Sequence, residues 1–206
     1  MRFSLMAVLI ALLSLANIGS AQKAGSFVAG LDVGITSAVG DFRDDTLGAG
    51  SGFGVGAELR YTLFNNFSFG PFLRYHRFGS TIQSTEGSIS YNFTQYGGMA
   101  KLNLFNIDRG KIFLVGGGGI FEPTKHTWTP DFTTDEPWDS GIFFMGGLGL
   151  SSNPYSATIY EFEIRYNMGD AEPPLSSSGD KQRFDFIYFV VKLSFNSKGA
   201  TPPPRY

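Results

Sequence analysis

Apolar and polar residues alternate along most of this chain with a period of two. The clearest case is the segment 53–61. Its apolar face is Phe53, Val55, Ala57, Leu59 and Tyr61, and its other face is Gly54, Gly56, Glu58 and Arg60. A helix would scatter these residues around its axis, whereas a strand places each set on one side. The segment is therefore predicted to be a β-strand with one apolar face and one small or charged face.

Seven further segments are also predicted to be strands, which gives eight in all, although glycines make the pattern less clear in 112–121 and 142–150. The further segments are 27–35, 67–75, 96–104, 112–121, 142–150, 160–168 and 187–195. Residues 89–93 are out of phase with the strand that follows them, which predicts a bulge or an end of membrane contact near Thr94. The four glycines 116–119 leave the facing of their strand open, and they predict a smooth surface.

The connections between these strands alternate between short and long. Short turns are predicted at 64–66, 106–110 and 152–155, and long polar loops at 40–52, 79–88, 122–140 and 169–183. Turn residues dominate the short connections. The alternation predicts an up-and-down meander with all short turns at one end and all long loops at the other.

The nature of the apolar face favours a membrane barrel over a soluble one. Bulky aromatic side chains on that face of eight strands would overfill an eight-stranded interior. If the apolar face points outward, its surroundings must be lipid, and the strands have the length of a tilted crossing, about 9 to 11 residues. The sequence therefore predicts an all-β fold, an eight-stranded antiparallel up-and-down transmembrane β-barrel.

Aromatic residues near the predicted strand ends suggest two interfacial girdles. The girdle at the short turns would contain Tyr61, Phe64, Phe67, Phe105, Tyr155 and Phe195. The girdle at the long loops would contain Phe53, Tyr75, Phe143, Tyr166 and Phe184. Because aromatic residues are frequent throughout the chain, chance placement would also put some of them at strand ends.

The N-terminal segment 1–21 has the features of a secretory signal peptide. Arg2 is followed by an apolar run from Leu5 to Ile18 and by a small-residue cleavage site at 19–21. That run is short for a spanning helix, although an N-terminal anchor is the alternative. The expected organisation is a signal peptide at 1–21, a barrel at 22–195 and a short Pro-rich tail at 196–206.

With its eight dyad strands, short turns and long loops, the chain resembles the small outer-membrane barrels of the OmpA-transmembrane-domain and OmpX type. The closing segment 187–195, Ile-Tyr-Phe-Val-Val-Lys-Leu-Ser-Phe, is similar to the aromatic C-terminal signal of that family. The resemblance implies location in the cell outer membrane, contact with outer-membrane lipids and insertion by the barrel assembly machinery. The tail departs from the family pattern, in which the chain often ends at the final Phe.

Composition excludes several other classes of protein. The 206 residues carry a net charge of −2, which provides no basic field for nucleic acid. The chain has no cysteine, so disulfides, thiolate nucleophiles and Cys-ligated metals are excluded. No sequence motif indicates a cofactor or a metal site.

The polar faces of the strands predict a charged barrel interior. The residues assigned to it are Asp32, Glu58, Arg60, Arg74, His76, Lys101, Glu161, Glu163, Arg165 and Lys192. An unpaired buried charge is costly, so these side chains are expected to form a structural ion-pair network that plugs the barrel. A narrow ion path is the alternative, whereas a general porin needs about sixteen or more strands.

The candidates for catalysis are weak, and the protein is expected not to be an enzyme. Some outer-membrane barrels deacylate lipid A with a His and a Ser two residues apart, but Trp128 stands two residues after His126. His76 also lacks that spacing. A Ser-His-Asp arrangement from distant residues stays open, and a lipid-modifying enzyme is kept as an alternative.

The loop 122–140 is the predicted contact region, with Trp128, Asp131, Phe132 and Trp138 as candidates. Exposed aromatic and acidic side chains together suit an extracellular protein or a cation-bridged glycan. The alternative is a solvated loop stiffened by its prolines. The expected function is therefore structural, or binding or adhesion through the loops.

Overall fold

The computed structural model describes residues 25–44, 48–64, 66–80, 87–107, 110–152, 157–173 and 181–197. It contains ten strands and one short 3-10 turn, Gly40–Phe42. The strands are β1 Ser26–Val39, β2 Ala49–Phe64, β3 Phe67–Ser80, β4 Ser88–Ile107, β5 Gly110–Trp128, β6 Thr133–Pro137, β7 Gly141–Ser152, β8 Thr158–Ala171, β9 Gln182–Arg183 and β10 Asp185–Asn196. The predicted signal peptide, Tyr155 and the tail after Ser197 lie outside these residues.

Eight of these strands close into an antiparallel barrel. The order around the wall is β1, β2, β3, β4, β5, β7, β8 and β10, each paired with its neighbour along the chain. The last strand returns to the first, with Val28 opposite Asn196 at one end of the seam and Val39 opposite Asp185 at the other. Closure leaves no open edge in the wall, and it confirms the predicted eight-stranded up-and-down barrel.

The barrel has its apolar side chains on the outside. Along β1 and β7, the outward Val33, Ile35, Ile142 and Phe144 are 55–65% exposed, and similar residues follow on the other six wall strands. Inward neighbours on the same strands are buried, and Arg74 is only 1% exposed. This distribution is the reverse of that in a water-soluble barrel, and it matches the predicted facing of the strands.

The glycine-rich wall segments combine two different roles. A Cβ atom on the inward Gly97 would lie 2.2 Å from the carbonyl oxygen of Gly118, so the neighbouring backbone excludes a side chain there. On the outward side, a Cβ on Gly98 or Gly146 would meet nothing within 4 Å. Some glycines of this wall are therefore required by packing, and others only keep its outer surface smooth.

Strand β4 continues without a bulge through Thr94. The register runs unbroken from Tyr75 opposite Thr94 on β3 and from Thr94 opposite Glu122 on β5. Tyr91 and Phe93 are 3% and 0% exposed and point into the lumen. Of the two predicted alternatives the bulge is wrong, because the strand keeps its register here and Tyr91 and Phe93 simply point inward. The other alternative, an end of membrane contact near Thr94, stays a prediction.

Two residues assigned to the loop-end girdle lie inside the barrel. Phe143 is 1% exposed and Phe184 is 2% exposed. Phe184 precedes β10 and folds into the barrel mouth, whereas Phe143 lies on the inward face of β7. Their assignment to the girdle is wrong, because proximity to a strand end does not reveal which face a side chain occupies.

The predicted third long loop is largely a β-hairpin. Strand β5 continues to Trp128 and pairs with β6, from Thr124 opposite Pro137 to Trp128 opposite Thr133. Strands β4 and β5 have 20 and 19 residues, which is longer than the about 9 to 11 residues of a tilted membrane crossing. The proline-stiffened loop is therefore replaced by an ordered projection at the loop end. No helix within the described ranges is long and apolar enough to span a bilayer.

Candidate functional site

The half of the lumen nearer the short turns is filled by charged side chains. They come from β1, β2, β3, β4, β8 and β10, and none is more than 4% exposed. The carboxylates are Asp32, Glu58, Glu161 and Glu163, and the cations are Arg60, Arg74, Lys101, Arg165 and Lys192. Alternation along each strand places them there, because every second residue points inward.

Glu58 is the centre of this ion layer. Its Oε1 lies 2.8 Å from Lys192 Nζ and 2.8 Å from Arg60 Nε, and its Oε2 lies 3.1 Å from Arg74 Nη2. These contacts join β2 to β3 and to β10 through the middle of the barrel. Arg165 Nη2 is also within 3.8 Å of Oε2, so four cations surround this carboxylate and offset the cost of its burial.

The other three carboxylates extend the layer in both directions. Asp32 Oδ2 accepts a hydrogen bond from Arg74 Nε at 3.1 Å. Glu161 accepts one from Arg60 Nη2 at 3.1 Å and also contacts Lys101. The ion pairs therefore run continuously from the first barrel strand to the last.

Glu163 and the aromatic ring of Phe72 add further contacts to this layer. Glu163 accepts a hydrogen bond from Lys192 Nζ at 2.6 Å and pairs with Arg165 on its own strand. The guanidinium of Arg74 lies 4.3 Å from the ring centre of Phe72. Cations that lie over aromatic faces gain further stabilisation without leaving the lumen.

His76 lies above the ion layer and is fully buried. Its Nε2 is 3.1 Å from Gln95 Oε1, and its ring meets those of Tyr188 at 4.8 Å and Phe186 at 5.0 Å. Tyr188 also donates its hydroxyl to Asp32 Oδ1 at 3.0 Å. This level therefore joins the charged half of the lumen to an apolar half.

The half of the lumen nearer the loops is filled by aromatic rings, here called the aromatic layer. Its buried members are Phe42, Phe78, Tyr91, Phe93, Phe121, Phe143, Phe184 and Phe186. Phe42, from the 3-10 turn after β1, has ring centres at 5.0 Å from Phe78, 5.2 Å from Phe184 and 5.4 Å from Phe93. Tilted and edge-on contacts of this kind are favourable for aromatic pairs.

Tyr91 closes the aromatic layer at the end nearest the long loops, where its strand neighbours Ser90 and Asn92 are polar. Burial, together with the nearby Glu136 carboxylate, raises the pKa of its phenol to about 12. The ring of Tyr91 lies 5.7 Å from that of Phe42. Tyr91 is therefore neutral at physiological pH and packs as an aromatic side chain.

The projecting hairpin of β5 and β6 carries the candidate contact residues. Its strands are joined across by His126 Nδ1 and Asp135 Oδ1 at 2.5 Å and by Lys125 and Glu136 at 3.8 Å. At the tip, Thr129 N donates to Phe132 O at 2.9 Å. Such cross-strand pairs hold the hairpin in a defined register.

Three of the four candidate contact residues are exposed on this hairpin. Trp128 is 50% exposed and Phe132 is 57% exposed, and Asp131 lies between them at the tip. Trp138 differs, because its ring packs 5.2 Å from Phe184 and joins the aromatic layer. The hairpin thus presents two aromatic side chains and places the third against the barrel mouth.

Comparison with known proteins supports a fold assignment. No protein-family model matches the chain, and no curated protein matches its sequence. Neisserial surface protein A matches with a TM-score of 0.55 at 14% identity, over 82% of this chain and 96% of that one. Ail of Yersinia pestis, solved with the heparin analogue sucrose octasulfate, matches with a TM-score of 0.52 at 15% identity, over 84% of this chain and 99% of that one.

This chain has the fold of the small eight-stranded outer-membrane barrels. The identities of 14% and 15% are low, so the likeness concerns the arrangement of strands. Inside that fold, the structure places all ten residues assigned to the interior in the lumen, and each is at most 4% exposed. Nine form the ion layer, and His76 lies directly above it.

The sequence analysis does not predict the aromatic layer. Its signal was present in β4, where Tyr91 and Phe93 have the same parity as Gln95 and Lys101. Phe42 gives no such signal, because it lies outside the alternating segments. Among the described residues, no three acidic or histidine side chains are grouped closely enough to hold a metal ion.

A row of three residues across β6, β5 and β4 bears on catalysis. Asp135 is paired with His126, and His126 is opposite Ser90. The order Asp, His, Ser matches that of a hydrolytic triad. However, the Ser90 hydroxyl is buried and has no hydrogen-bond partner in the described structure. The row therefore lacks both the bond between Ser and His and an accessible nucleophile.

Proposed function

We propose that this protein is an integral outer-membrane β-barrel with a closed interior, which binds an extracellular partner through its β5–β6 hairpin. The observation that carries the proposal is the inverted distribution of side chains in a closed barrel. An exterior of Val, Ile, Leu and Phe around a charged interior is stable only in hydrocarbon. The expected export by the segment 1–21 agrees with this location.

Location and closure are tested by one experiment. The full precursor is expressed in a Gram-negative host, and the outer-membrane fraction is run on a denaturing gel with and without boiling. We expect a band that shifts on boiling, because a closed barrel stays folded in detergent until it is heated. A single unshifted band in the soluble periplasmic fraction would contradict the proposal.

Two layers of side chains fill the lumen, and both support a closed interior. The ion layer occupies the half nearer the short turns, and the aromatic layer occupies the half nearer the loops. An ion that crossed the barrel would have to break the contacts of Glu58 and then pass the rings around Phe42. In planar bilayers we expect no conductance steps, and steps that change in Glu58→Gln would favour the alternative of a narrow channel.

The hairpin supports a binding role because its tip presents apolar anchors beside negative charge. Trp128 and Phe132 are the exposed anchors, and aromatic side chains often dominate binding energy. The stretch 131–139 contains four acidic residues and no basic one: Asp131, Asp135, Glu136 and Asp139. This charge favours a protein partner with a basic surface over a sulfated glycan.

The anionic ligand of Ail provides a useful contrast. That barrel was solved with sucrose octasulfate, whereas the acidic hairpin here should repel such a molecule. We expect the barrel in nanodiscs to bind poly-lysine and not sucrose octasulfate. Binding of sucrose octasulfate in the absence of divalent cations would contradict a basic partner, and binding only in their presence would indicate a cation-bridged glycan.

Substitutions of the exposed aromatic residues test whether the hairpin tip is the binding element. Trp128→Ala combined with Phe132→Ala should weaken attachment to a cationic protein surface by about tenfold or more. Phe105→Ala, which removes a 65% exposed ring from β4 near the short turns, is the matched control. Equal loss in both variants would mean that the hairpin is not the binding element.

We also propose that the protein is not an enzyme. The arrangement of Ser90, His126 and Asp135 supports this proposal, because its serine hydroxyl is buried and does not contact the histidine. We expect Ser90→Ala and His126→Ala to leave the lipid A of the host unchanged in mass. A lipid A mass that changes on expression and reverts in Ser90→Ala would support the alternative of a lipid-modifying enzyme.

A further inference from the structure

The charges inside the barrel do not balance. Among the described residues of the ion layer there are four carboxylates and five cations, and all are at most 4% exposed. Asp185 is also buried, but it lies outside the layer and is paired with Arg183 at 2.9 Å. One buried positive charge therefore lacks a negative counterpart among these side chains, and an uncompensated buried charge is unfavourable.

The surplus charge is located at the end of the lumen nearer the short turns. There, Arg60 and Lys101 both pair with Glu161, and Lys192 contacts the same carboxylate at 3.3 Å.

A small cavity lies at this same place. Its volume is about 20 Å³, which exceeds the roughly 10–15 Å³ that one water molecule needs. Arg60, Lys101 and Glu161 line it together with four uncharged polar residues, Thr62, Ser68, Asn103 and Ser151. Hydroxyl and amide groups beside two cations are suitable donors to an anion.

We propose that this cavity binds a small monovalent anion of the chloride or bromide type, which balances the charge of the ion layer. Arg60 and Lys101 attract the anion, and the hydroxyl and amide groups replace part of its hydration shell. Glu161 is the one carboxylate in the lining and opposes binding, but the two cations outweigh it. The small volume favours a small anion over larger ones such as phosphate esters.

The anion closes the network at its lower end and is a structural ion. It binds the folded barrel and has no preformed site in the unfolded chain, so it stabilises the barrel by mass action. Because the site lies at the short-turn end, the ion enters from the side opposite the hairpin. Its binding is thus separate from the proposed recognition of an extracellular partner.

Bromide locates the site directly. Crystals of the barrel are grown in sodium bromide, and the anomalous signal of bromine is measured. We expect a peak in the cavity between Arg60 and Lys101, within hydrogen-bond distance of the lining groups. A data set with ordered lumen side chains and no peak there would overturn the proposal.

Thermal unfolding provides a second measurement. The wild-type barrel is heated in sodium bromide or in sodium methanesulfonate at equal ionic strength. Above the dissociation constant, each tenfold increase in bromide should raise the Tm by about 3–5 °C, and methanesulfonate should not. A Tm that rises equally in both salts would show a general salt effect and would overturn the proposal.

Two variants that change the charge of the cavity lining in opposite directions make the test specific. Lys101→Gln removes the surplus cation, so the dependence on bromide should disappear while the barrel still folds with four charges of each sign. Glu161→Gln removes the opposing carboxylate, so the affinity for bromide should rise by at least about tenfold. Lys181→Gln, which changes an exposed loop residue, is the matched control.

The competing explanation is that Lys101 is neutral in the folded barrel. In that case the stability of the wild type would be independent of bromide and would change with pH in the range where Lys101 gains its proton. Lys101→Gln would then remove the dependence on pH instead of the dependence on bromide. That result would overturn the proposed anion site and would leave the closed interior and the hairpin unaffected.

Discussion

The hydroxyl of Tyr188 on the last barrel strand donates a hydrogen bond to Asp32 on the first strand at 3.0 Å. The two residues are separated by 156 positions and lie on the two sides of the closing seam. The ring of Tyr188 also packs against His76. One side chain thus fastens the seam and joins the aromatic layer to the ion layer.

Tyr188→Phe should destabilise the barrel by about 1.5–3 kcal/mol, because a buried carboxylate loses a hydrogen bond while the ring is kept. The measurement is the free energy of unfolding in urea from lipid vesicles. Tyr160→Phe is the control, since Tyr160 is 64% exposed on the outer surface, and it should change the free energy by less than about 0.5 kcal/mol. Similar losses of unfolding free energy in both variants would show that the hydrogen bond from Tyr188 to Asp32 does not stabilise the barrel.

Glu58→Gln should cost about 3–5 kcal/mol, because it leaves Arg60, Arg74 and Lys192 without their shared negative charge. The same unfolding measurement applies. Glu172→Gln removes a carboxylate that pairs with Lys181 at 3.6 Å on the surface, and it should cost less than about 1 kcal/mol. If the two variants were equally stable, the ion layer would not hold the barrel together.

Phe42→Ala should cost about 3–5 kcal/mol, since it removes a fully buried ring from among four others. Phe132→Ala at the exposed hairpin tip should have almost no effect on unfolding. We also expect no conductance steps from Phe42→Ala in planar bilayers, because the ion layer still fills the lumen below. New steps would show that the aromatic layer alone closes the barrel.

Gly97→Ala and Gly98→Ala form a matched pair of adjacent positions. The inward Gly97 has the Gly118 carbonyl oxygen 2.2 Å from the site of a Cβ, whereas the outward Gly98 has open space. Gly97→Ala should therefore lower the free energy of unfolding by at least about 1 kcal/mol, and Gly98→Ala should stay within about 0.5 kcal/mol of the wild type. Reversed effects would mean that the two faces of β4 are assigned incorrectly.

Much of the fold follows from the sequence because a strand assigns its residues to two faces in strict alternation. Once the apolar face is placed outside, charged residues such as Glu58 and Arg165 must point inward. The structure places all of the assigned interior residues in the lumen for this reason. Strand parity therefore predicts which residues share the interior, although it does not predict which of them pair.

The aromatic layer and the hairpin follow less directly from the sequence. A phenylalanine has the same apolar character in lipid and in the upper lumen, so hydropathy cannot separate Phe143 inside from Phe144 outside. Phe42 lies on a turn where no periodicity operates. The sequence does not predict the pairing of β5 with β6, because Pro123, Pro130 and Pro137 suggest a loop. In the structure, Pro123 and Pro137 lie within strands.

The ion layer also constrains the order in which the barrel can be built. Its partners are far apart in the chain, with Lys192 and Glu58 separated by 134 positions, so few of its contacts can form before the strands come together. An unclosed sheet would expose nine charged side chains on one face, and their transfer into hydrocarbon is unfavourable. Insertion and closure must therefore proceed together, because a partly closed barrel is not stable within the bilayer.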